Sequence, residues 1–309
     1  MPQATSKVAL LAGAVAAVGA ACVGYGILIE RDWYRLRRQR VQALGPGQPP
    51  LTVLHLSDLH LTVADTRRMA FLRRLAAESV DLVVLTGDML GEPAALGPLL
   101  ETLGRFRPRL GAVAVLGSND YWAPRPRNPL AYFRGPSSRR RRSSGRNPWR
   151  ELVDGLEARG WTVLCNRRGR LGDVELAGMD DPHIRRDDPA VAVPPDGEVF
   201  TGGLGLNPPD PPRLRLGLVH SPYRRALDAF ERNGYGLLLA GHTHGGQVRL
   251  PGVGALVTNC DLPRDRVRGL SRWGSSWLHV SAGLGTSKYA PFRFSCRPEA
   301  SLLEVVPRA

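Results

Sequence analysis

The chain has 309 residues, 43% of them hydrophobic, and a formal net charge of +14. That length buries a full core, and the roughly 250 residues after the N-terminal segment suit one large domain better than two small ones. Of four cysteines, Cys22 lies in an apolar run and Cys165, Cys260 and Cys296 lack metal-type pair spacing, which argues against a disulfide framework and suits a reducing compartment.

In chain order, Val8 to Ile29 is an unbroken apolar run of 22 residues, long enough for a helix to cross about 30 Å of hydrocarbon. A cleaved leader has an apolar core of roughly 7 to 15 residues, so a retained anchor is expected. Arg31, Arg35, Arg37, Arg38 and Arg40 follow the run against Lys7 before it, and the positive-inside bias puts the rest of the chain on the cytoplasmic face. Residues 31–40 carry a net +4 and residues 134–150 a net +7, most of the total. Each basic residue near an anionic lipid surface is worth about 1 kcal/mol, and lipid contact is the favoured reading over a plain solvated loop and flank. Nucleic acid ranks lower, because no aromatic side chains interleave the Arg139–Arg142 run as a stacking platform requires. Residues 1–44 thus read as anchor and basic flank, 45–50 as a Pro/Gly linker, and 51–309 as one folded domain.

Five strand-like apolar runs each end in a polar motif. Leu51 to Ser57 runs into Asp58-Leu59-His60, and Leu82 to Thr86 precedes Gly87-Asp88. Ala112 to Leu116 precedes Gly117-Ser118-Asn119-Asp120, Leu214 to Val219 precedes His220, and Leu237 to Ala240 precedes Gly241-His242-Thr243-His244. The polar residues therefore sit in loops at strand C-termini. Ala64 to Ser79 and Pro148 to Gly160 read as amphipathic helices. Trp161 to Cys165, Val174 to Gly178, Gln247 to Leu250, Trp277 to Ser281 and Ser301 to Val305 read as further strands, and the mixture predicts packed sheets with helices outside. The Pro- and Arg-rich segment 123–147 and the segment 180–212, with eight Pro, are long loops of the kind that form lids or insertions.

Carboxylates and imidazoles converging from separate strand ends can hold two divalent ions, a phosphoester-hydrolysing arrangement. Asp58 and His60, two apart on an extended strand end, would project to one side, and His242 and His244 share that spacing. A Gly-preceded Asp such as Asp88 can approach two ions at once. Each motif alone is weak, whereas the ordered set is specific.

With these residues the chain resembles the calcineurin-like metallophosphoesterases over roughly residues 51–306. The resemblance rests on Leu56 to His60, Thr86-Gly87-Asp88, Gly117 to Tyr121, His220-Ser221-Pro222 and Gly241 to Gln247. Gly283 to Ser287 with Pro291-Phe292-Arg293 is similar to a small membrane-associated bacterial branch. The resemblance implies an α/β fold, a four-layer αββα sandwich of two mixed sheets. It implies a dinuclear site in which Asp58, His60, Asp88 and His244 bind one ion and Asp88, an amide, His220 and His242 the other. A hydroxide shared by the ions would attack phosphorus in a phosphomonoester, phosphodiester or pyrophosphate. Manganese, iron or zinc would each suit these ligands.

One motif departs from the family pattern Gly-Asn-His-Asp/Glu. Ser118 or Asn119 takes the amide position, and the imidazole that would protonate the leaving group is absent, a contribution of typically 10² to 10⁴-fold. His183, in Asp180-Asp181-Pro182-His183, is the spare imidazole, and Asp120 would orient Asn119 or a metal-bound water. Arg125, Arg127 and Arg293 are candidates to grip phosphate, and His55 and His279 read as sheet residues. The expected activity is metal-dependent phosphoester hydrolysis, with an anionic lipid or lipid-linked substrate favoured. A catalytically degenerate membrane-tethered metal- or phosphate-binding module and a nuclease are the alternatives.

Overall fold

The computed structural model describes residues 2–124, 126, 128, 145–194 and 212–308. Helix α1 spans Pro2–Leu28. The segment Leu10–Asp32, 23 residues of mean hydropathy 2.0, is long and apolar enough to cross a membrane, and the rest of the molecule covers almost none of it. Its end is tied down: the buried Glu30 carboxylate accepts the backbone N–H groups of Ser295 and Cys296, and Tyr25 meets Phe294 edge-on.

The domain is a sandwich of two six-stranded mixed sheets. The first is built from β1 (Arg35–Leu44), β2 (Leu51–Leu56), β3 (Leu82–Thr86), β4 (Gly111–Val115), β5 (Trp161–Val163) and a C-terminal strand (Glu299–Pro307). The second contains β6 (Arg167–Leu171), β7 (Val174–Met179), β8 (Leu214–Val219), β9 (Leu237–Ala240) and, beyond a two-stranded ribbon of β10 (Arg249–Leu250) and β11 (Gly254–Ala255), β12 (Gly269–Trp273) and β13 (Ser276–Val280). The C-terminal strand is then β14. The sheet orders are β1-β14-β2-β3-β4-β5 and β12-β13-β9-β8-β7-β6.

Between the sheets Val53, Val84, Val113 and Val115 pack on Leu176, Leu216, Leu218 and Leu239. Helices α2 (Thr66–Leu75), α3 (Leu96–Leu103) and, after the short α4 (Ser118–Tyr121), α5 (Trp149–Glu157) cover the outer face of the first sheet with Phe71, Leu72, Leu99, Leu103, Leu152 and Leu156. Helix α6 (Arg224–Arg232) covers the second with Leu227 and Phe230. The expected αββα layering is therefore present. Central strands are covered on both faces, which is why β3 and β9 are apolar without alternation.

The stretch expected as the anchor's basic flank is different. Arg35–Leu44 pairs in parallel with β14, so the first sheet begins at Arg35 rather than at Leu51. Arg-Leu-Arg-Arg-Gln-Arg has no apolar face to betray a strand. Its partner arrives from the far end of the chain, and pairing overrides local propensity; a charged edge also resists stray pairing. Helices α3 and α6 and strands β6 and β12 were likewise not expected. The Arg139–Arg142 run, Arg125 and Arg127 lie outside the described residues.

Candidate metal centre

Strand β2 stops at Leu56, and the backbone then turns. Asp58 (φ 50°), His60 (φ 41°), Asp88 (φ 52°), His242 (φ 67°) and His244 (φ 49°) are all left-handed. Asp58 and His60 therefore do not lie on an extended strand end, as the spacing suggested; a tight loop aims them. Such conformations cost about 1–3 kcal/mol each for non-glycine residues and persist only where the surroundings enforce them. Here the Asp58 N–H donates to Gly87 O at 3.0 Å, the His60 N–H to Asp88 O at 2.9 Å, and the His242 N–H to the Asp58 carboxylate at 3.0–3.1 Å. Gly241 is required for this closeness, since a Cβ there would stand 1.9 Å from Ser57 Oγ and 2.5 Å from Asp58 Oδ2.

The side chains converge. Asp88 Oδ2 lies 3.5 Å from His60 Nε2 and 3.4 Å from His220 Nε2. His244 Nε2 is 3.6 Å from Asp58 Oδ1 and 3.3 Å from His60 Nε2. Two groups have metal-holding geometry: Asp58, His60 and His244, and Asp58, Asp88 and His220. His242 is outside both; its ring packs against those of His220 and His183, and its Nε2 faces Asn259 O at 3.2 Å. Asn119 reaches the site: its N–H donates to Asp88 Oδ1 at 2.8 Å, and its side-chain amide contacts Asp88 Oδ2. Asn119 thus faces the candidate ligands.

The donor set fits a divalent cation. His220 Nδ1 lies 2.6 Å from Thr86 O, so it is the N–H side of the ring, and the buried Nε2 has no hydrogen-bond partner. In the neutral ring that atom presents a lone pair beside Asp88, and an outer N–H bond fixing the tautomer is the usual support for a histidine ligand. His244 repeats the pattern, with Nδ1 3.2 Å from Gly285 O.

Electrostatics agree. Burial pushes His60 and His242 down to about 4 and His244 well below its ordinary range, leaving them neutral as ligands must be. Burial opposes the charge on His220 too, but Asp88, Asp58 and Asp181 outweigh it and raise His220 well above its ordinary value. Burial likewise opposes ionisation of Asp88, yet His220, His60 and the Asn119 N–H hold its carboxyl well below the carboxylate range. The negative field that would keep a proton on His220 favours a cation in the same place.

The remaining candidates separate. Asp120 is fully buried, and its carboxylate accepts the N–H groups of Gly117, Asp88, Met89 and Leu90. It ties two motif loops together through their backbone, and its hydrogen bonds go to those amides rather than to the Asn119 side chain. His183 is brought into the site, its ring centroid 4.7 Å from that of His242 and its Nδ1 3.1 Å from Tyr223 Oη. Arg293 does not face substrate: it is fully buried and donates to the carbonyls of Ala282, Gly283, Gly285 and Cys296. His55 and His279 face each other at 2.9 Å between strands, and Tyr121 packs the loop through Asp180.

Two residues escaped sequence reasoning. Ser57 Oγ donates to Asp58 Oδ2 at 2.6 Å and orients it. Asp181, which burial pushes up to about 6 against the opposing pull of His220, accepts the His183 N–H and adds negative charge beside the cluster. Ser57 stood inside a quoted motif, and Asp181 two positions before the spare imidazole.

A family model described as calcineurin-like phosphoesterase matches residues 51–246. Phosphodiesterase YaeI of Escherichia coli (strain K12) is 27% identical, covering 95% of this chain and 97% of its own length. The uncharacterized metallophosphoesterase YkoQ of Bacillus subtilis (strain 168) is 26% identical over 84% of this chain and 85% of its own. A Bos taurus protein named transmembrane protein with metallophosphoesterase domain is 29% identical over 71% of this chain and 46% of its own.

Proposed function

The chain belongs to the calcineurin-like phosphoesterase family and is a hydrolase of phosphoester bonds, and from that premise we propose how it works and where. Asp58, His60, Asp88 and His244 would hold one divalent ion, and Asp88, Asn119, His220 and His242 a second. Two such ions supply Lewis-acid stabilisation of the phosphoryl oxygens and a nucleophile at neutral pH. The observation that carries this reading is Asp88 Oδ2, within 3.5 Å of both His60 Nε2 and the otherwise unpartnered His220 Nε2, so that this one carboxylate would serve beside ligands of both ions.

The chain's own residues set the rest. Thr86 O and Gly285 O fix the His220 and His244 rings, and Asp120 fixes the loops that carry Asp88 and Asn119. With Asn119 in the amide place, the imidazole of the family motif is missing; His183, buried against His242 and steered by Tyr223, is the group that serves the leaving oxygen. A phosphodiester is the favoured substrate, in line with the name of the Escherichia coli relative. The membrane helix and basic flank further favour a lipid-linked diester met at a cytoplasmic membrane face.

The test is hydrolysis of bis-p-nitrophenyl phosphate and p-nitrophenyl phosphate by the full chain in detergent with manganese, since cutting at residue 45 removes β1. Metal-dependent turnover of the diester that disappears in Asp88→Asn is expected. His183→Asn should impair a poor alkyl leaving group more than p-nitrophenolate, which needs no proton. Two bound metals without turnover of any ester would instead indicate the binding module.

A further inference from the structure

Against the loop that carries His244, which Arg249 and Arg268 touch at Gly245, lies an open cavity of about 610 Å³ lined by Arg35, Leu36, Arg37, Arg38, Arg249 and Arg268. Five of its six lining residues are arginines from three separate parts of the chain, so neither a charge run nor helical spacing gathers them. What gathers them is Glu299. This fully buried carboxylate lies 2.7 Å from Arg35 Nη2, 2.5 Å from Arg268 Nη2 and 4.0 Å from Arg37 Nη1.

One carboxylate does not satisfy that many guanidiniums. Each offers five donors in a fixed fork, and a carboxylate accepts about four hydrogen bonds. Arg249 donates to Gly245 O at 2.9 Å and has no carboxylate partner among the described residues. Arg38 alone has its own acid, Glu78. The cavity therefore keeps a net charge of about +3 and a surplus of forked donors, which matches the bidentate geometry of phosphate oxygens.

Position indicates where such a phosphate comes from. Only residues 29–34 separate α1 from Arg35, and Glu30 anchors that junction to the domain. Trp33, half exposed beside the Arg297 guanidinium, is an aromatic of the type found at membrane interfaces. If α1 spans the bilayer, the three arginines of β1 that line the cavity follow the candidate span, which ends at Asp32, within six residues, on the side of the headgroups.

We propose that this arginine cavity binds the phosphate headgroup of an anionic phospholipid, separately from the metal centre, and so sets the domain's orientation on the membrane. The proposal rests on the membrane reading of α1 and is independent of hydrolysis.

The full chain in detergent, with chelator present so that the metal centre takes no phosphate, would be titrated calorimetrically with dihexanoyl phosphatidylglycerol, dihexanoyl phosphatidylcholine and inorganic phosphate. The expected result is at least tenfold tighter binding of phosphatidylglycerol than of the other two. Arg37→Ala combined with Arg249→Ala should weaken it at least tenfold with the thermal melt preserved, and Arg37→Ala alone, which leaves the Gly245 contact intact, should give an intermediate loss. Equal affinity for the two lipids, or a single variant indistinguishable from wild type, overturns the proposal. Inorganic phosphate that binds as tightly as phosphatidylglycerol and competes with it overturns the lipid source. Because the assay reads no turnover, its failure leaves the hydrolase reading untouched, and an inactive enzyme leaves this site untouched.

Discussion

The two sheets contribute unequal halves of the candidate metal centre. Loops of the first bring Asp58, His60, Asp88 and Asn119, and loops of the second bring His220, His242 and His244. All four imidazoles are buried, yet three are pushed down and one is pushed up. The difference teaches that burial keeps a histidine neutral even 3.5 Å from one carboxylate, as at His60, and that the combined charge of Asp88, Asp58 and Asp181 is what reverses the sign at His220. Among the described residues both candidate ligand groups draw on loops of both sheets, so the packing of the sandwich is what brings them together.

The most severe break in this pairing is Asp88→Asn, which removes from the first half the carboxylate proposed to serve both ions. A loss of several kcal/mol of charge stabilisation corresponds to about a 10³-fold fall in kcat/KM or more. Manganese-dependent diester hydrolysis checks it, and a fall under tenfold would falsify the central role of Asp88.

Gly241→Ala attacks the seam between halves, because the new methyl would collide with Ser57 Oγ and Asp58 Oδ2. Overpacking of about 1–3 kcal/mol is expected, seen as a lower melting temperature together with weaker metal binding. An unchanged melt would show that the seam yields freely.

Asp120→Asn acts within the first half alone. It weakens the hold on the N–H groups of Gly117, Asp88, Met89 and Leu90 without touching a ligand atom. Metal affinity should fall about 10- to 100-fold, the usual cost of losing a supporting group, while the second half is unaffected. Manganese titration followed by calorimetry reads this directly.

The mildest test is pH. In the metal-free chain His242 is held down to about 4 in the folded state against an unfolded value near 6.5. Between those values the unfolded chain binds the proton and the folded one does not, so this residue's contribution to stability falls as pH falls from about 6.5 to 4. Relative to His242→Asn, wild type should lose about 1 kcal/mol on going from pH 7.5 to 5.5, measured by denaturant titration at each pH. His220 has the opposite sign: its contribution is present below about 6.5 and is lost as pH rises through its raised folded value. A parallel pH response of the two single variants would remove the distinction drawn between them.

Much of this centre was legible before any fold was known, because ligand chemistry restricts residue types and strand ends restrict their places. Five apolar runs ending in Asp, His and Asn motifs were enough to locate Asp58, His60, Asp88, His220, His242 and His244 in loops that the structure brings together. The membrane-length apolar run and the layered α/β class were equally local, since hydropathy and periodicity are properties of short segments.

What only the tertiary structure decided depends on distant partners. Arg35–Leu44 is a strand because β14, more than 250 residues away, pairs with it. Arg293 looked like a phosphate ligand but is consumed by backbone carbonyls. Asp120, expected to orient Asn119 or a metal-bound water, holds the loop of Asp88 through its backbone. In each case the sequence determined the group's chemistry, while its partner, and therefore its role, was set by which segments packing brought within hydrogen-bonding distance.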